Sequence, residues 1–187
     1  MLVVLISLHG AADTAIYQWF PSYLTHRFAD LTIGPGVTLT LYSLAYVLSR
    51  VLLLLIPDEY GRRAFIVLPG LLGGALMIAA LLVASSGPAS ILYAVAAFCW
   101  SFEFPAVLSE AYRKLPGAIG SLQSVAFIVS AGMQILLIGA IGVGFERGME
   151  LGKLLIPVAL MFPLFSLIAQ IGGVGSHEKG GGRSDSA

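Results

Sequence analysis

The chain has 187 residues, of which 58% are hydrophobic and 11% charged, with a mean hydropathy of +0.93 and a formal net charge of zero. A water-soluble domain of this length cannot hide so much apolar surface. The absence of any basic block excludes a nucleic-acid-binding reading. A hydrocarbon core about 30 Å thick takes roughly 20 apolar residues per helix, and six stretches reach that length, at about 2–24, 36–57, 64–85, 89–111, 118–144 and 151–172. They predict an all-α membrane domain over 1–172.

The first stretch lacks a basic leader and carries His9 and Asp13, so it reads as a membrane helix rather than a cleavable signal, with no soluble domain expected upstream. His9, Asp13 and Tyr17 lie four apart and stack on one helical face. In the second stretch Thr38, Tyr42, Tyr46 and Arg50 repeat that spacing. The third is apolar apart from small residues, and Gly70 and Gly74 predict close helix packing. The fourth brings Tyr93, Trp100, Glu103 and Glu110; Glu110 is expected in a surface ion pair with Arg113 and Lys114. Cys99, the single cysteine, has no disulfide partner in the chain and reads as core packing. The fifth stretch holds Ser121, Gln123, Ser124, Ser130 and Gln134, whereas the sixth has only Ser166 and Gln170. Residues 173–187 are Gly, Ser and charge, which predicts a disordered cytoplasmic tail.

Polar residues thus favour the first, second, fourth and fifth helices, which predicts a three-plus-three arrangement with the third member of each triplet facing lipid. Phe20-Pro21 and Phe104-Pro105 sit in corresponding helices that cross in opposite directions, the pattern of an inverted-topology repeat. Either proline loosens its helix or simply kinks it. With both termini cytoplasmic, the inner side collects Arg62, Arg63, Arg113, Lys114, Lys179 and Arg183 against Arg27, Arg147 and Lys153 outside. That orientation satisfies the positive-inside rule.

An ionisable side chain at mid-membrane costs about 2.5 to 3.5 kcal/mol on insertion scales, so Asp13, Arg50 and Glu103 need partners or water. One reading has the stripes share an aqueous cavity, in which His9, Asp13, Tyr17, Tyr42, Tyr46, Arg50, Trp100, Glu103 and Gln134 bind a small polar solute and an acid titrates with transport. The other has Asp13 or Glu103 pair with Arg50 or His9 to lock the bundle, with tyrosine hydroxyls as interhelical glue. His9 is correspondingly a proton relay or a neutral, hydrogen-bonded ring. No catalytic, phosphate-binding or metal-ligand motif is present, so neither enzyme activity nor a cofactor or metal is expected.

Ser49-Arg50 followed by Asp58-Glu59-Tyr60-Gly61-Arg62-Arg63 resembles the end of the second helix and the inner loop of a major facilitator superfamily half, whose pattern is Gly-x-x-x-Asp-Arg-x-Gly-Arg-Arg. Asp58, Gly61, Arg62 and Arg63 match, while Leu54 stands at the glycine and Glu59 at the basic position. Phe104-Pro105 with Tyr112-Arg113-Lys114-Leu115-Pro116-Gly117 is similar to the fourth helix of C-terminal halves, and Trp19-Phe20-Pro21-Ser22-Tyr23-Leu24 to their opening helix. The resemblance implies a gating role for Asp58, Gly61, Arg62 and Arg63. It further implies a half-size, proton-coupled transporter of a small polar, sugar-like solute in a bacterial inner membrane. Such a half needs a second six-helix half, whether another copy or a separate chain, or a larger membrane complex. The competing expectation is a non-transporting subunit that binds a protein or pigment partner.

Overall fold

Apolar runs punctuated by proline and glycine set the helix boundaries. The computed structural model of the chain describes residues 1–55, 62–114 and 117–172. Asp58, Gly61 and the 173–187 tail lie outside the described residues, and Arg62 and Arg63 open a helix. Among the described residues every regular element is helical: α1 Leu2–Arg27, α2 Pro35–Leu55, α3 Arg62–Leu82, α4 Ser86–Trp100, α5 Glu103–Lys114, α6 Ile119–Glu146, α7 Leu151–Ala159 and α8 Met161–Ile171. Four stretches, Pro35–Leu55, Ser86–Lys114, Gly120–Glu146 and Leu151–Ile171, are long and apolar enough to cross a bilayer. Their length and composition make this an all-helical integral membrane protein.

The fourth and sixth predicted helices are each broken in two, and proline explains both breaks. Pro105 has no N–H to offer the Ser101 carbonyl, and its ring crowds the preceding turn. The chain therefore tightens at Ser101 and Phe102, where the Phe102 N–H reaches back only to the Cys99 carbonyl at 3.4 Å, and helix resumes at Glu103. Pro163 similarly follows the break at Leu160. Pro21 sits within α1 without interrupting it.

Helix α1 is central. It packs on α6, α7 and α8 and also touches α2 and α5, and most of Leu5–Ala12 is buried. Neighbouring protein replaces lipid along much of its length, which lets α1 carry polar side chains that a lipid-facing helix could not. Helix α3 nests between α4 and α8 through a glycine stripe: a Cβ at Gly73 would press on the Ala96 carbonyl and Trp100, and one at Gly74 on Pro163. Gly74 thus serves close packing, as small residues do in membranes, whereas Gly70 faces the Glu103 carboxylate rather than a neighbouring backbone. Trp100 stacks on Phe162 at 4.1 Å and Phe20 on Tyr93 at 4.1 Å, which ties α4 to α8 and to α1.

The third and sixth helices, expected to face lipid, keep an exposed side, with Leu68, Leu72 and Leu82 on α3 and Leu164 and Leu167 on α8, and turn the other side inward. Helix α3 has a face turned into the bundle, with Met77 and Ala80 fully buried, and α7 and α8 likewise bury Leu155, Phe162 and Phe165. The least covered spans are α2 and the Gly120–Glu146 part of α6. Among the described residues no other helix covers their free sides.

Candidate solute and proton site

Three helices meet at Asp13. From α2, Tyr42 donates its hydroxyl hydrogen to Asp13 Oδ1 and Tyr46 donates to Oδ2 at 3.0 Å; from α4, Trp100 Nε1 donates to Oδ1 at 2.9 Å. Hydrogen bonds to a charged group each contribute about 1.5 to 3 kcal/mol, enough together to offset the roughly 2.5 to 3.5 kcal/mol insertion cost of the aspartate. The four-residue spacing of Tyr42 and Tyr46 makes this bridge possible, since it presents both hydroxyls on one face. Their rings stack at 5.6 Å, Tyr42 also lies 5.0 Å from Tyr93 and 5.1 Å from Tyr17, and the Arg50 guanidinium carbon sits 4.4 Å from the Tyr46 centroid. Trp100 is fully buried, whereas Tyr17 is 40% exposed. Asp13 therefore stands at the boundary between the packed interior and an open face.

A second acidic layer lies one turn away along the same seam. Glu103 Oε2 and His9 Nδ1 are 2.9 Å apart, within hydrogen-bond distance, while Ser166 Oγ on α8 lies 3.2 Å from Oε1 and 3.2 Å from the Phe162 carbonyl. Ser166 has one hydrogen for two acceptors. If it goes to Phe162, a protonated Glu103 can donate from Oε1 to the serine and accept from His9 at Oε2; if it goes to Oε1, Oε2 either accepts from His9 as a carboxylate or donates to it as an acid. Both proton counts find a hydrogen-bonded arrangement. His9 is 2% exposed, and its Nε2 has no partner among the described residues. A proton on Nδ1 spares Nε2 a buried, unsatisfied N–H. The rings of Phe162 and Phe165, each 5.6 Å from the imidazole, seal this layer.

The structure thus brings together Asp13, Tyr17, Tyr42, Tyr46, Arg50 and Trp100, with His9 and Glu103 as a closed layer beside them. Glu103 is wholly buried and turned toward α3 and α8, so it does not line the open face as expected. Pro105 starts α5 at Glu103, and the absent Cβ of Gly70 leaves room for its carboxylate. Gln134 stands apart: its Nε2 donates to the Gly10 carbonyl at 3.4 Å and to Ser130 at 3.2 Å, tying α6 to α1. Glu110 is bound by Arg113 at 2.8 Å and Lys114 at 3.1 Å, the ion pair expected of it, with its carboxylate covered by those half-exposed cations.

On sequence alone Ser166 has no role and Tyr93 stands on the fourth-helix stripe outside the solute-binding set. Ser166 was legible as the lone hydroxyl in a strongly apolar segment, since an unpaired hydroxyl in lipid is costly. Tyr93 belongs to the aromatic wall, and its buried hydroxyl has no partner among the described residues. No group of three His, Cys, Asp or Glu side chains among the described residues is gathered to hold a metal ion. Comparison of the chain with protein-family models, curated proteins and solved structures found no match. The functional reading accordingly rests on the residues themselves.

Proposed function

We propose that this chain is one half of a secondary transporter of the major facilitator type, moving a small polar, sugar-like solute by alternating access with coupled proton movement. The observation that carries the reading is the Asp13 carboxylate, clasped by three donors and placed beside a partly exposed aromatic face. A carboxylate offers about four acceptor positions, and three are taken. A proton or a solute hydroxyl that engages Asp13 displaces a tyrosine or takes the last position, which links binding to movement of α2. The unpartnered Tyr93 hydroxyl and the flat tyrosine faces suit a hydroxylated solute. Glu103 and His9 hold the second exchangeable proton.

The helix pairings support a three-plus-three inverted repeat with six spans, in which α4 with α5 is the fourth and α7 with α8 the sixth. Exchanging the triplets converts the α1 and α6 pairing into the α4 and α2 pairing, and that of α3 with α4 into that of α7 and α8 with α1. Arg50, Tyr17 and Gln18 are exposed, with Tyr17 and Arg50 beside the α2 tyrosines. A polar face is costly in lipid, so a second half, another copy or a separately encoded chain, closes the cavity. Both ends lie on the cytoplasmic side, in a bacterial inner membrane, and Asp58, Gly61, Arg62 and Arg63 gate the inner side.

The test uses liposomes loaded with a pH-sensitive dye, to which a panel of hexoses and polyols is added. At least one sugar is expected to drive internal pH change that a protonophore abolishes, with Asp13→Asn and Glu103→Gln reducing the rate at least about tenfold, the scale of one lost charge-assisted hydrogen bond. Unchanged rates in both variants would discard the coupling assignment. Crosslinking from Tyr17 to a different protein, with no solute flux, would instead favour a non-transporting subunit.

A further inference from the structure

A cavity of about 680 Å³ opens well away from Asp13, where the C-terminal ends of α1, α3 and α6 meet the start of α7. Tyr23, on its wall, is ten residues along α1 from Asp13, about 15 Å at 1.5 Å per residue. The volume falls in the range of small-ligand sites, about 300 to 1,000 Å³. We propose that this cavity binds a phosphate ester of net negative charge, with the phosphate held by Arg27 and Lys153 and an apolar substituent lying against Leu82 and Ile156.

Charge argues for the anion. Arg27 and Lys153 line the cavity against a single carboxylate, Glu150, with the His26 ring beside them. Glu150 and Lys153 are 3.2 Å apart, but with side chains 74% and 69% exposed. Such an exposed pair contributes at most about 1 kcal/mol, so a phosphate readily takes over the lysine. His26 is held in place by Phe145, whose ring centroid is 4.9 Å away. The start of α7 adds to the field, because the first N–H groups of a helix have no intrahelical acceptor and its dipole favours negative charge; the Glu150 cap makes no side-chain bond to them.

Shape argues for a substituent. Tyr23 donates its hydroxyl hydrogen to the Leu81 carbonyl at 2.8 Å, which fixes its ring as a wall. Gly152 lies against that ring, so a Cβ there would come 3.4 Å from Tyr23 Cε2 and a longer side chain would extend across the cavity. Leu82 is 69% exposed beside the opening, and the apolar surface continues down the bundle toward Ile156. One mouth therefore presents cations at the helix ends and hydrocarbon below them. Both an anionic phospholipid headgroup and a soluble phosphoester share the chemistry required.

Native mass spectrometry of the full chain in detergent separates these sources, using dioleoyl phosphatidylglycerol, dioleoyl phosphatidylcholine and glycerol phosphate as probes. Phosphatidylglycerol is expected to be retained at least about fivefold over phosphatidylcholine, and Arg27→Gln with Lys153→Gln to weaken retention about tenfold. Arg27→Lys with Lys153→Arg keeps the charges and should keep most of the binding, whereas Gly152→Leu should abolish it at unchanged helix content. Retention of phosphatidylglycerol alone assigns a lipid, and binding of glycerol phosphate as well assigns a soluble phosphoester. Equal retention of the two lipids with no glycerol phosphate bound, or retention indifferent to the charge-removing pair and to Gly152→Leu, overturns the site.

Discussion

Replacing Gly70 with alanine tests whether the Glu103 layer is a built feature of the bundle. An ideal Cβ at position 70 would fall on the Glu103 carboxylate, 2.8 Å from its Cδ and against the Ser166 hydroxyl. The end of an exposed glutamate would swing away at little cost. Here the side chain has no exposure and is held between His9 and Ser166, so moving it breaks a hydrogen bond within a sealed layer. Overpacking costs about 1 to 3 kcal/mol and a lost bond to a charged group about 1.5 to 3, while alanine returns up to about 1 through helix propensity. The expected net loss is about 2 to 5 kcal/mol, read as a shift in the unfolding midpoint of purified protein in mixed micelles. Gly132→Ala, where a Cβ meets nothing within 4 Å, is the matched control and should be neutral or slightly stabilising. The double variant Gly70→Ala with Glu103→Ala should be more stable than the sum of the single changes predicts. Equal stability of Gly70→Ala and Gly132→Ala would refute the reasoning.

Tyr42→Phe removes one of three donors to Asp13 and should lower proton-linked flux about tenfold at unchanged helix content, whereas Tyr17→Phe, whose hydroxyl makes no bond to Asp13, should leave more of the flux intact. Thr38→Val deletes the 2.8 Å hydroxyl pair with Ser90 in the α2 and α4 seam; interhelical bonds in membranes average about 0.6 kcal/mol, so micellar unfolding should shift only slightly. Arg113→Gln with Lys114→Gln leaves the Glu110 carboxylate without either half-exposed cation and should destabilise by only about 1 kcal/mol, with Glu110→Gln in the same background restoring part of the loss. Pro105→Ala offers the Ser101 carbonyl an N–H and should close the break between α4 and α5, raising helix content while displacing Glu103 and reducing flux.

The sequence by itself determined a helical membrane protein, because hydropathy over about 20 residues follows directly from bilayer thickness. It also determined the Asp13 side of the site, since four-residue spacing on α1 and on α2 fixes a shared face whatever the helices pack against. Only the tertiary structure decided how those faces meet. Nothing in the spacing of Glu103 says that it turns toward α3 and α8, because its direction depends on Pro105 restarting the helix and on Gly70, 33 positions away, leaving a space for the carboxylate. The same holds for Ser166, for Gln134 serving as a tie between α1 and α6, and for the cavity that gathers Arg27 and Lys153 from opposite ends of the chain. Local periodicity states which side of a helix is polar; the close approach of small residues and the interruption of helices by proline choose the neighbour that side will meet.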